Sequence, residues 1–235
     1  GGLIFGMGVA LGAAPRWRAG LPTRFRYEDL GLPTLSECPE IDIAFRAAVR
    51  RTSAHSTLIL GEEDSSRFTQ NEDTRLMYPL GPDGISAKRL EEDSEIWLDA
   101  QHGGYKKSFG LLHRRRLFMS GDGARLTGED SLARPVSAGV TENEAPIIFD
   151  LRFHLHPTVS PVMAGDAIVL ESSLGSKWRF KTSHAKASLE ETIYLGRGII
   201  ERSQQLVLSG KASPNSDGSA PPNCIRWAFL RVKGA

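Results

Sequence analysis

The segment Ile147–His156 constrains the fold more than any other part of the chain. Ile147, Phe149, Leu151, Phe153 and Leu155 alternate with Ile148, Asp150, Arg152, His154 and His156. Side chains along a strand point to opposite faces with period two, so this is a strand with one apolar and one polar face. A single such strand cannot bury its apolar face alone and needs a second layer. Lys177–Thr182 repeats the pattern, with Trp178 and Phe180 set against Lys177, Arg179 and Lys181. Both polar faces are basic, which suits an anionic partner such as an acidic polysaccharide or an acidic domain.

Other short segments read the same way. Thr57–Leu60, Glu95–Ala100, Leu111–Met119, Ala124–Thr127, Ala167–Ser172, Leu189–Leu195, Gln204–Leu208 and Ile225–Val232 are expected strands. Ser120-Gly121-Asp122-Gly123 predicts a hairpin turn, because glycine accepts positive φ and Asp bonds its own backbone. Leu174-Gly175-Ser176 predicts another. Ser213–Asn223, rich in Pro, Ser, Gly and Asn, reads as a mobile loop. Pro15, Pro22, Pro33 and Pro39 break residues 16–44 into an irregular stretch. A short helix is expected over Ile41–Arg51, where Ala44, Phe45, Ala48 and Val49 recur at helical spacing. Strands do not alternate with long helices, which argues against a doubly wound α/β fold. The expected architecture is all-β, an antiparallel sandwich or barrel over residues 45–235. An irregular or short helical lead over 1–44 precedes it.

Composition narrows the function classes. Of 235 residues, 40% are hydrophobic and 24% charged, with a formal net charge of +1. A disordered chain would have fewer aliphatic residues and more net charge. Two cysteines, Cys38 and Cys224, do not make a disulfide scaffold and read as free thiols. Near-neutrality argues against nucleic acid as a partner. Gly1–Pro15 is the longest apolar run. It is shorter than the roughly 20 residues of a membrane span, and its arginines follow it, the wrong order for a secretory signal. The chain opens on Gly1 with no Met before Met7, which reads as the remnant of a longer chain.

Several clusters could carry chemistry. His154 and His156 share a strand face, a spacing at which β proteins present ligands to zinc, although a site needs more than two. The opposing reading is a structural pair bonded across the sheet. His113-Arg114-Arg115-Arg116 is unusual within a strand. Guanidinium forks match carboxylates, so Arg114 and Arg116 could bind an anion. The favoured alternative pairs this run with Glu129 and Asp130 on the returning strand. His102 and Tyr105 are residue types that transfer protons, yet an aromatic plug in a loop explains them equally well. His55, among small hydroxyl residues, could be a ligand, a base or a cap. No nucleophile elbow, P-loop, H-E-x-x-H or paired C-x-x-C is present.

The ordered motif series resembles a known family. It comprises Trp97-Leu98-Asp99-Ala100-Gln101-His102-Gly103-Gly104-Tyr105, Phe109–Leu117, Gly128-Glu129-Asp130, Arg152–Pro157, Trp178-Arg179-Phe180, Tyr194-Leu195-Gly196 and Gln205–Leu208. From about Phe45 to Val232 it is similar to the C-terminal domain of heparinase II/III-like polysaccharide lyases. The resemblance implies a supersandwich-like antiparallel β-sandwich that follows an N-terminal (α/α) toroid. It also implies β-elimination beside uronic acids. A base takes the C5 proton, a tyrosine-type acid assists the leaving oxygen, and a further group neutralises the carboxylate. In the family the tyrosine, the neutralising residue and one histidine sit on the toroid, which this chain lacks. The isolated chain is therefore expected to be inactive, and a non-catalytic carbohydrate-binding or structural sandwich is the alternative. The substrate contacts that the chain itself would supply are His102, Tyr105, Arg114, Arg116, Arg152, His154 and His156. Family sandwiches can hold a structural divalent metal such as zinc. Of its ligand pattern only His55, in His55-Ser56-Thr57, has a match here, and it is expected near the sheet surface facing the toroid. His102-Gly103-Gly104-Tyr105 departs from the commoner His-Asp-Gly-Tyr. The family places its members in the periplasm or cell envelope.

Overall fold

The computed structural model describes Ala48 and residues 50–70, 77–138, 145–165, 167–183, 187–196 and 199–232. A 3-10 turn at Thr52–Ala54 leads into β1 (Leu58–Leu60), followed by β2 (Arg67–Gln70), β3 (Met77–Leu80), β4 (Ser86–Glu92) and β5 (Glu95–His102). One helical turn, α1 (Lys106–Phe109), precedes β6 (Leu112–Met119), β7 (Arg125–Ala133), β8 (Ile147–His154) and β9 (Val159–Ala164). The series ends with β10 (Ala167–Ser172), β11 (Lys177–Thr182), β12 (Ser188–Gly196), β13 (Ile199–Ala212) and β14 (Cys224–Arg231). Two antiparallel sheets face each other, one of four strands in the order β1-β8-β13-β12 and one of eight in the order β4-β5-β6-β7-β14-β11-β10-β9. The fold is an all-β sandwich, as the alternation on β8 requires.

The core lies between the sheets. Phe149, Leu151 and Phe153 of β8 point inward with Leu58, Leu60, Leu206 and Leu208, against Ile168, Leu170, Trp178, Phe180, Ile225 and Phe229 of the larger sheet. Phe153 is the inter-sheet anchor. Its ring meets Trp227, Phe180 and Phe229 at centroid distances of 4.8, 5.4 and 5.6 Å, all edge-on. Such T-shaped contacts set the positive edge of one ring against the negative face of another.

Both predicted turns form. Gly123 N donates to Ser120 O at 2.8 Å, and Gly175 N donates to Ser172 O at 2.8 Å. Ser213–Asn223 differs from expectation, because it is fastened rather than free. Asn223 is fully buried and donates from Nδ2 to Leu132 O and Ser213 O, while its Oδ1 accepts from Ser213 N. One side-chain amide thus satisfies three backbone groups, a device that composition does not reveal. Cys224 is a free, buried thiol, while Cys38 and almost all of Ile41–Arg51 up to residue 49 lie outside the described residues. Among the described residues no helix is long and apolar enough to cross a membrane.

Candidate functional site

Strand parity sorts the charged residues of the larger sheet. On β6, His113, Arg115 and Leu117 face the core, while Arg114, Arg116 and Phe118 face outward. His113 and Arg115 belong to a buried polar network, in which Arg115 Nη2 finds no hydrogen-bond partner among the described residues. Asp130 Oδ1 accepts from His113 Nε2 and Arg115 Nε, both at 2.8 Å, and Oδ2 accepts from Trp227 Nε1 at 2.8 Å. Arg115 Nη1 also donates to Ser56 O at 2.6 Å, tying the two sheets together. Gly104 N donates to His102 Nδ1 at 3.2 Å, which leaves His102 Nε2 to donate to His113 Nδ1 at 3.0 Å. Both imidazoles are then neutral donors in a chain that ends on the carboxylate. Burial first, with the neighbouring Arg115 guanidinium, pulls His102 down to about 3. Burial alone would raise Asp130, but Arg115 and His113 outweigh it and hold the carboxyl below its usual range.

This placement corrects two expected substrate contacts. His102 is 2% exposed and Tyr105 is fully buried. Tyr105 Oη donates to Leu58 O at 2.8 Å, and burial pushes its pKa up. Neither side chain reaches a surface where a ligand could meet it. The intervening glycines have a packing reason. A Cβ on Gly104 would sit 2.3 Å from Ser65 O, and one on Gly103 would sit 2.6 Å from Asp83 O.

The other candidates are dispersed. Arg114 binds Asp99 through Nε at 2.8 Å and through Nη2, and Arg116 binds Glu129. The cross-strand reading of the arginine run therefore holds, with Asp99 as a third acid. Arg152 is neutralised by Asp150 at 2.6 Å and Glu190 at 3.3 Å, so β8 does not display the free cationic face expected of it. His154 donates from Nε2 to Ser53 O at 3.1 Å and accepts at Nδ1 from Thr192 Oγ1 at 3.1 Å. His156 bonds Thr158 and packs edge-on against Tyr194. The two rings therefore serve separate structural contacts.

His55 is half-buried at the entry to β1, with its pKa lowered by burial and partly restored by Asp64. Among the described residues no three His, Cys, Asp or Glu side chains converge on a metal position. The neighbouring His154 has both nitrogens engaged. The described residues do not fit the family's structural metal.

A groove does exist on the outer face of the eight-stranded sheet, about 520 Å³ in volume. Trp97 and Phe118 form its aromatic side, their centroids 5.2 Å apart. Arg125 lies over the Phe118 ring at 4.8 Å. Arg116 and Arg226 converge on Glu129, and Lys181 stands at the rim. Among the described residues Lys181, Arg179 and Arg125 make no ion pair, so this face keeps a positive surplus. Aromatic planes beside such cations can stack a sugar ring and hold its carboxylate or sulfate. The sequence reading missed Trp97, Phe118, Arg125, Lys181 and Arg226 as a group. One signal was available, since Trp97 shares its strand parity with Glu95 and Asp99 rather than with Ile96 and Leu98. An aromatic on a charged face asks for a partner.

Comparison with known proteins now places the motif series. The family profile described as heparinase II/III-like, C-terminal, matches residues 29–228. The chain belongs to this family. A curated relative, FtsZ-localized protein C of Caulobacter vibrioides, is 27% identical over 195 residues, covering 80% of this chain and 33% of its own length. The crystal structure of heparan sulfate lyase HepC from Pedobacter heparinus superposes with a TM-score of 0.56 at 14% identity, covering 83% of this chain and 26% of that one. A HepC mutant structure matches equally well. At that identity the likeness establishes the fold. The chain spans only a minority of both relatives. In this heparinase II/III-like domain most of the motif residues build the core and its polar network rather than an open site.

Proposed function

We propose that this chain is the polyanion-binding sandwich of a longer heparinase II/III-like lyase that cleaves uronic-acid-containing polysaccharides by β-elimination. The outer groove carries this reading, with Trp97 and Phe118 to stack a sugar and Arg116, Lys181 and Arg226 to meet its acid groups. The bond-breaking residues would sit on an N-terminal toroid, since His102, His113 and Tyr105 are sealed in the core. Action in the periplasm or cell envelope belongs to the same proposal.

The test is titration of the chain with heparan sulfate oligosaccharides. Replacing both Lys181 and Arg226 by Glu is expected to weaken binding at least about tenfold, because like-charge contacts oppose association. Trp97→Ala is expected to weaken it without changing its salt dependence, whereas loss of cations flattens that dependence. Incubation with heparin, heparan sulfate or alginate is expected to produce no absorbance from a new C4–C5 double bond. Binding unaffected by either change would remove the groove from the proposal, and a rise in absorbance would overturn the division of labour.

A second reading follows the name of the Caulobacter relative, in which the domain serves a protein that localises with FtsZ. Its support is the 27% identity over 80% of this chain. Co-sedimentation with FtsZ filaments, together with failure to bind any acidic polysaccharide, would favour it.

A further inference from the structure

β4 forms one edge of the eight-stranded sheet, and all seven of its residues are exposed. Among the described residues no strand lies on its outer side. An exposed edge is a template for another strand, and proteins commonly block one with charges. Here the charges have an order that selects a partner. β4 reads Ser86-Ala87-Lys88-Arg89-Leu90-Glu91-Glu92, two cations then two anions about a central leucine. Leu90 is 58% exposed.

The hairpin fixes which backbone groups are free. β4 and β5 are joined by the two-residue loop Asp93-Ser94, with φ of 48° and 67°. In such a loop the flanking pair, Glu92 with Glu95, is the hydrogen-bonded one, and bonding alternates from there. Glu92, Leu90 and Lys88 therefore direct their N–H and C=O toward β5. Glu91, Arg89 and Ala87 direct theirs outward.

We propose that the chain pairs with a second copy of itself through β4, antiparallel, about a two-fold axis at Leu90. This is an isologous interface, the commonest kind in homodimers. In this register Arg89 faces the partner copy's Glu91 through the free backbone groups, and Lys88 faces its Glu92. Leu90 meets its own copy at a non-hydrogen-bonded position, where side chains lie closest. Face parity allows slips only in steps of two, and both neighbouring registers fail. One sets Arg89 against Arg89, the other Glu91 against Glu91. Like charges directly opposite destabilise a pair. Arg89 and Glu91 already pair within one strand, so the partner completes an alternating cluster of four charges. Because the axis is perpendicular to the sheet, both outer grooves would face the same way. The pairing does not depend on what those grooves bind.

An edge contact of one strand is small, so association is expected at about 1–100 µM, in the weak range for small interfaces. The test is sedimentation of the full chain across that range. The parent is expected to move from monomer to dimer mass. A Lys88→Glu/Arg89→Glu variant and a Glu91→Lys/Glu92→Lys variant are each expected to stay monomeric, with dissociation constants raised at least about tenfold. Mixed in equal amounts, the two are expected to form a heterodimer, which also shows that both are folded. A monomeric parent at the highest concentration would overturn the proposal. So would dimers that persist in either variant alone, or a mixture that stays monomeric.

Discussion

Asp130 is the acceptor on which the buried polar network converges. It is fully buried and accepts hydrogen bonds from His113, Arg115 and Trp227. A buried ion pair adds little net stability over apolar packing, but removing one partner leaves an uncompensated charge. Asp130→Asn preserves shape and removes the charge opposite Arg115, which is only 3% exposed. It is expected to cost about 3–5 kcal/mol, read as a lowered denaturant midpoint. Arg114→Ala, which breaks the half-exposed pair with Asp99, is expected to cost at most about 1 kcal/mol. Similar costs for the two changes would show that the network is not under load. The sequence allowed part of this inference. Glu129 and Asp130 stood at hairpin distance from the arginine run, so pairing was legible. The period of two then sends Arg114 and Arg116 outward and Arg115 inward. That His102 and Trp227 close the same network depends on strand neighbours that spacing alone does not reveal.

Among the elements, legibility followed hydrophobic pattern. β10 and β11 begin and end where the apolar alternation does, and β8 ends at His154, two residues short of the alternation, although Leu155 N still donates to Gln204 O at 2.9 Å. β4 escaped notice because an edge strand with no buried face has no apolar period. β9, with Pro161 inside it, lies at the opposite edge, where a missing N–H is tolerated. β13 runs over 14 residues, yet only its apolar stretch was readable, since Glu201, Arg202 and Ser203 conceal the rest. Register was invisible, and register gives Gly128 its role. Gly128 lies opposite Trp227, and a Cβ there would sit 2.1 Å from the indole Cζ2. The indole packs on the bare backbone and so reaches Asp130. Gly128→Ala is expected to cost about 1–3 kcal/mol by overpacking, with a shifted Trp fluorescence maximum as Trp227 leaves its carboxylate. Thr127→Ala, one residue away and facing outward, is the matched control. An alanine at 128 as stable as the parent would show that the sheet yields there at no cost.

At the scale of the whole molecule, a net charge of +1 says little, because charge is sorted by face and by depth. Among the described residues the outer face of the larger sheet keeps unpaired cations, while the interior holds a neutral relay ending on an anion. That sorting sets the response to acid. His102, with its pKa pulled down to about 3, stays neutral in the fold while the unfolded chain takes up a proton near 6.5. The unfolded state therefore binds more protons between those values, and stability rises with pH across that window. His55 and His154 are shifted the same way, chiefly by burial. Asp130, Asp99 and Glu129 are held below their ordinary values, so their contribution is present above about 4 and lost below it. All six act with one sign, and their windows overlap. Stability is expected to fall from about pH 6.5 downward through the histidines, with His102 contributing down to about 3, and more steeply below about pH 4 as the carboxylates add to it. Urea midpoints measured from pH 7.5 to 3.5 test this. His102→Gln retains an N–H donor toward His113 and cannot titrate, so it is expected to flatten the decline between about pH 6.5 and 4 and to leave the carboxylates' added slope below that. If the parent's midpoint held steady from pH 7 to 4.5, the buried relay would not be neutral as drawn. If the variant kept the full slope, His55 and His154 would be its source instead.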